Sequence, residues 1–230
     1  MSKKPVKNVF NLWQIEGETK FSGKYEIPCI NGTDKIPENL VLFSQSHKTK
    51  ECGNKSIHFY ELDEKFSPDI ENHKKLDSLI STLFSRYQSI ILPDFSVYVD
   101  FPLALQIFQI YKSRAIGSYL EKNNIPVIPN IRWADERSYE FAFEGIRKNS
   151  LISVGVLGAY RDKDSRYYFE KGFYKMLEVL QPAKIITYGY LPDYIEFDCR
   201  NNGIDIIPFA TDISKRYEKK TSKQNEFNFE

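Results

Sequence analysis

Residues 91–102 read ILPDFSVYVDFP, an apolar run that ends at Pro93 and is followed at alternate positions by Asp94, Ser96, Tyr98 and Asp100. Such a polar lip on an apolar run is where chemistry is expected. Asp63 and Asp135 leave two comparable runs, IHFYE and IPVIPNI. On neighbouring loops, Asp63, Asp94 and Asp135 can hold a divalent metal ion through oxygen ligands. Alternatively, two of them can divide acid and base roles if their environments separate their pKa values. Ser96, Tyr98, Arg114, Arg132, Trp133 and Tyr188 are the candidates for holding a ligand, and their mix of guanidinium, hydroxyl and aromatic groups suits a nucleotide or another phosphorylated molecule. Each also has a plainer reading. Asp94 after Pro93 can make an Asx turn, Asp135 can cap the helix that follows it with Trp133 packed beside it, and Asp63 can be a solvated loop charge. Arg114 can be a solvated helix charge, and Tyr188-Gly189-Tyr190 can be packing and a tight turn.

The elements that would position these residues alternate along the chain. Strand candidates are LVLFS (40–44), IHFYE (57–61), SIILP (89–93), IPVIPNI (125–131), LISVGVL (151–157), KIITYG (184–189) and GIDIIPF (203–209). Helical patterns cover roughly 69–86, 102–123, 136–148, 166–180 and 192–201. Several strands are continuous apolar runs, as expected when both faces are covered. Strands separated by helices imply right-handed βαβ units and a parallel sheet, whose carboxyl ends all open on one side. The helix over 102–123 has Pro102 in its first turn, Asp100 upstream as a possible cap and Asn123-Asn124 as a stop. Its inward face is predicted to carry Ala104, Phe108, Tyr111, Ala115 and Tyr119.

Two architectures fit: a small or incomplete (β/α) barrel-like parallel sheet, or an open doubly wound parallel sheet. The barrel is preferred because no glycine-rich nucleotide fingerprint follows the early strands. The predicted organisation is an irregular N-terminal arm (1–36), an α/β domain (37–213) and a disordered polar tail (214–230).

The totals narrow the function classes. With 32 basic and 31 acidic residues the net charge is +1, so no global field favours nucleic acid. No apolar run is long enough to cross a bilayer, and the N-terminus lacks the apolar core of a signal peptide. Three scattered cysteines argue against a disulfide framework and, with the absent leader, set the cytoplasm as the expected compartment. No Walker A loop, GxSxG elbow or HExxH is present.

The ordered motifs resemble a known family. IHFYELDEKF carries His58, Phe59, Asp63 and Phe66 in the manner of HFF…D..F. PDFSVYVDFPLALQIFQIYKSRAIGSY is similar to PDFS…P.A.Q..N.YR.R..G. VIPNIRWADERSYEFAFEGI, VLG at 156–158 and GFYKMLEVLQPAKIITYG complete the series. The family is the domain of unknown function numbered forty-four seventeen, and the resemblance runs from about residue 56 to 190. The sequence departs from it at Gln109, Lys112 and Gly155. The resemblance implies a phage or mobile-element setting and brings no reaction with it.

Two functions follow as expectations. One is an enzyme acting on a nucleotide or phosphorylated ligand at the carboxyl ends of the strands. The other is a non-catalytic binder that sequesters a signalling nucleotide or blocks a host defence or replication protein. For the second, Gln224, Phe227 and Phe229 in the terminal QNEFNFE loosely resemble a sliding-clamp peptide.

Overall fold

The computed structural model describes residues 12–212 and 214. Among the described residues there are nine strands: β1 (Phe21–Ser22), β2 (Ile27–Pro28), β3 (Asn39–Leu42), β4 (Lys55–His58), β5 (Ser89–Ile91), β6 (Val127–Ile128), β7 (Leu151–Gly155), β8 (Lys184–Tyr188) and β9 (Asp205–Phe209). The helices are α1 (Phe43–Ser46), α2 (Ser67–Ile70), α3 (His73–Thr82), α4 (Leu103–Lys122), α5 (Tyr139–Ala142), α6 (Lys163–Leu180) and α7 (Asp193–Asn201).

β3-β4-β5-β6 and β7-β8-β9 are parallel ladders in chain order. A parallel bridge between Asn130 and Ser153 joins them. It is reinforced by Ser153 N donating to the Pro129 carbonyl at 2.8 Å and Ile131 N donating to the Ser153 carbonyl at 2.9 Å. Seven strands therefore run side by side in the order in which they occur, with no reversal of winding. This excludes the doubly wound alternative, which needs a switch point. Rings on the second and sixth of these strands meet, His58 and Tyr188 lying 4.5 Å apart, so the sheet is curled around an interior. Leu40, Ile91, Ile128, Leu151 and Ile186 fill that interior, with Ile207 and Phe209 packed against them. No ladder joins β3 to β9 among the described residues, so the barrel is incomplete.

Period-two alternation sends the other set of side chains outward, where Ile57, Ile90 and Val127 pack with Leu76, Ile116 and Leu120 of the covering helices. Ile152, Val154 and Ile185 likewise meet Phe173, Met176 and Ile195 of α6 and α7. Both faces of the inner strands β4 to β8 are covered, which is why their runs read as continuously apolar, while β3 and β9 at the edges are only partly buried.

Several boundaries differ from the sequence reading. The helical pattern over 69–86 divides into α2, α3 and a 3-10 turn at Phe84–Arg86, because the Asn72 side chain caps α3 by accepting from Lys75 N. The pattern over 136–148 yields only a 3-10 turn and α5. At the start of α4, Pro102 itself occupies the cap position and Asp100 makes no cap. The inward face of α4 is only partly the predicted one: Ala115 is buried and Tyr111 and Tyr119 are half-buried as expected. Ala104 and Phe108 are exposed, and Gln106, Gln109, Ile110, Ser113, Arg114, Ile116, Gly117 and Leu120 are buried. In the N-terminal arm, β1 and β2 pair as a short antiparallel hairpin. Trp13 stacks on His73 with ring centroids 4.3 Å apart. Lys122 at the end of α4 donates to the Glu16 carbonyl at 2.6 Å.

Candidate functional site

The loops leaving the carboxyl ends of β5, β6 and β7 enclose a cleft of about 500 Å³. Its walls include Tyr98, Arg132, Trp133, Leu157 and Arg161, together with Asp162, which caps α6, and Asp164 and Ser165 from the first turn of that helix. Asp94 lies behind Arg132. Its Oδ2 is 3.7 Å from Arg132 Nη1, with 15% of the Asp94 side chain exposed against 31% of the arginine. Asp94 Oδ1 accepts from Asn130 Nδ2 at 2.8 Å. Asn130 Oδ1 in turn accepts from the Tyr60 hydroxyl at 3.0 Å, and that hydroxyl is 2.6 Å from Ser153 Oγ. Four strands are thereby tied into one polar network.

Burial pushes the Asp94 carboxyl above its ordinary value. Arg132 and the Asn130 amide pull it back, and the charge of Asp63 pushes it further up. Burial also holds the Tyr60 phenol well above its usual range, so this hydroxyl serves as a neutral donor. The result is a carboxyl group largely shielded from water, held on one oxygen by an amide and faced on the other by a guanidinium that reaches a cleft.

The loop that carries Asp94 is fixed from below by α4. Ser113 Oγ donates to the Pro93 carbonyl at 2.8 Å, Gln109 Nε2 to the Ser96 carbonyl at 3.1 Å and Gln106 Nε2 to the Phe101 carbonyl at 3.0 Å. These side chains are three and four residues apart, so they lie on one helical stripe. From the other side, Asp63 accepts from Ser96 N at 3.1 Å and from Ser96 Oγ at 2.9 Å. Every residue of PDFS therefore has a local task. Pro93 and Ser96 anchor the loop, Phe95 packs edge-on against Phe66, and Asp94 faces Arg132.

Two close approaches shape the surroundings. A Cβ on Gly155 would stand 2.8 Å from two ring carbons of Tyr60, so only glycine leaves that ring room to reach Asn130. A Cβ on Gly172 would lie 2.0 Å from Trp133 Nε1, which donates to the Tyr168 carbonyl at 3.1 Å.

The structure redistributes the residues singled out from sequence. Asp94, Arg132, Trp133 and Tyr98 meet at or behind the cleft. Trp133 is largely buried there. Tyr98 stands at the rim, exposed and edge-on to Phe101. Asp63 and Ser96 are bound to each other as a loop staple. Asp135 caps the 3-10 turn by accepting from Arg137 N and pairs with the Arg137 side chain at 2.9 Å. The expected three-carboxylate metal site does not form: among the described residues no three His, Cys, Asp or Glu side chains group to hold a metal ion. Arg114 is not at the mouth. It is fully buried beneath β6, where it donates to the Asn130 and Ala142 carbonyls. Tyr188 lies in the interior, stacked 5.1 Å from Tyr60, with its hydroxyl accepting from Asp212 N. Gln224, Phe227 and Phe229 fall outside the described residues.

Tyr60, Asn130 and Ser153 were not anticipated from the sequence. Their one legible signal is parity. Asn130 follows inward-facing Ile128 by two positions, and Ser153 likewise follows Leu151, so both share the interior face.

Fold and site together define an incomplete (β/α) barrel protein with a polar network and a ligand-sized cleft at the carboxyl ends of its strands. The chain belongs to the family described as "Domain of unknown function (DUF4417)", whose model matches residues 19–210. It is similar to the "Gene 1 protein" of Mycobacterium phage L5, 27% identical over 186 residues that cover 79% of each chain. It is also 27% identical over 184 residues to the "Gene 1 protein" of Mycobacterium phage D29, covering 79% of this chain and 67% of that one. The family is thus phage-associated. No solved structure matches the chain. No helix among the described residues is long and apolar enough to cross a membrane.

Proposed function

We propose that the protein is an enzyme acting on a nucleotide or other phosphorylated ligand bound in the cleft between the β5, β6 and β7 loops. The observation that carries this reading is the Asp94–Arg132 pair, a shielded carboxyl behind a guanidinium that itself lines the cleft. Arg132 and Arg161 would meet the phosphate, since a planar guanidinium presents paired donors to its oxygens. Tyr98 and Trp133 offer aromatic surface for a base or sugar. Asp94, with its carboxyl raised by burial, would carry a proton to or from the reacting group.

The test is calorimetry with nucleoside mono-, di- and triphosphates and phosphorylated sugars, followed by phosphorus NMR of whichever compound binds. Arg132→Ala should weaken binding at least tenfold. Asp94→Asn should retain binding and lose turnover. Binding that survives in Arg132→Ala, or turnover equal to wild type in Asp94→Asn, would overturn the assignment. Tight binding without any turnover by the wild type would make the protein a sequestering binder instead.

A further inference from the structure

Arg114 is the one arginine wholly enclosed in the described core, and it is held by two carbonyl groups rather than by a carboxylate. Its Nε is buried with no hydrogen-bond partner. A guanidinium in such surroundings is costly, because desolvation is not offset by an opposite charge. The same cost draws its pKa down to about 10. A Met or Leu would fill a comparable volume without that penalty, so packing alone does not account for an arginine here.

What the arginine does is geometric. Nη1 donates to the Asn130 carbonyl at 3.0 Å, and Nη2 to the Ala142 carbonyl at 3.1 Å, at the end of α5. It bridges the end of β6 to α5 from a long helix that passes beneath both. Asn130 is the residue whose side chain links Asp94 to Tyr60. β6 has only two residues in its ladder, flanked by Pro126 and Pro129, which supply no N–H. The bridge to Ser153 uses the Pro129 carbonyl and the Ile131 N–H on either side of Asn130, whereas the Asn130 carbonyl itself is met by Arg114.

We propose that Arg114 is a positioning residue for the Asp94 site, acting through the Asn130 carbonyl to aim the Asn130 amide at Asp94 and its oxygen at the Tyr60 hydroxyl. This extends the reading of Asp94 as the working carboxyl. Its test uses no ligand, so its failure is distinct from failure of that reading.

The experiment follows two NMR signals in the unliganded full chain: the Asn130 side-chain amide and the Asp94 carboxyl carbon across a pH titration. The variants are Arg114→Met, Arg114→Lys and, as a control for general loosening of α4, Leu120→Ala. In Arg114→Met the Asn130 amide should shift and broaden. The Asp94 midpoint should move upward, because an amide donor to the carboxylate has been loosened. Arg114→Lys should give a smaller change of the same sign, since an ammonium is a single point donor in place of a fork. Leu120→Ala should lower stability and leave both signals in place. If Arg114→Met fails to fold, Arg114→Lys decides by the same two signals. A folded Arg114 variant with both signals unmoved, or a Leu120→Ala protein with equal changes, would overturn the proposal.

Discussion

Gly155→Ala probes the tightest packing in the polar network. The added methyl would stand 2.8 Å from Cδ1 and Cε1 of Tyr60. Carbon atoms rest at about 3.5–4.0 Å, so the ring must retreat by roughly 1 Å. Its hydroxyl is held at 3.0 Å to Asn130 and 2.6 Å to Ser153, and a retreat of that size breaks at least one of these bonds. Overpacking of this kind costs about 1–3 kcal/mol. A buried polar group left without its partner adds about 1–3 kcal/mol. Gly155→Ala should therefore lower the free energy of urea unfolding by roughly 2–6 kcal/mol. The sign should reverse once the ring is gone. In a Tyr60→Ala background the methyl meets no ring, and alanine in a strand should be favoured over glycine by about 0.5–1 kcal/mol through backbone entropy. The double-mutant cycle then yields a coupling of at least about 2 kcal/mol. Gly155→Ala costing under about 1 kcal/mol, or costing the same in both backgrounds, would refute the packing argument.

Asp94→Asn should stabilise the protein near neutral pH. Burial raises the folded-state carboxyl above its unfolded value. The stability contribution of Asp94 is thus complete below about pH 3.9, the unfolded value, and declines as pH rises through the folded one. Urea midpoints of variant and wild type should converge in acid and separate with rising pH; a constant gap would contradict the shift. Gly172→Ala should be destabilising by about 1–3 kcal/mol despite the better helix propensity of alanine, and should alter the near-ultraviolet circular dichroism of Trp133, because the new methyl would overlap the indole. An unchanged near-ultraviolet spectrum would place the Trp133 ring elsewhere.

How much was legible beforehand is best seen in particular elements. β7 and β8 read as apolar runs because α6 and α7 cover one side and the barrel interior the other, so local composition carried their environment directly. α4 was legible in extent and only partly in orientation. Its buried stripe is Gln106, Gln109, Ser113 and Arg114, whose task is to satisfy carbonyl groups of the 93–101 loop and β6. A pattern that equates inward with apolar selects Phe108 and Ala104 instead, and both are exposed. The family was readable from ordered motifs, since PDFS and its neighbours are contiguous.

The sequence by itself determined the alternation of strands and helices, the parallel sense of the sheet and the place of Asp94 at a strand end. These depend on interactions within a few residues, which periodicity and turn chemistry record. Only the tertiary structure decided that Arg114 lies beneath β6 rather than at the mouth, and that Tyr60, Asn130 and Ser153 complete the network around Asp94. The network hangs on contacts between residues 36 to 93 positions apart, and Arg114 reaches carbonyl groups 16 and 28 positions away. At that separation, which hydrogen-bonding groups meet is fixed by the curl of the sheet, a property of all seven strands and of no single segment.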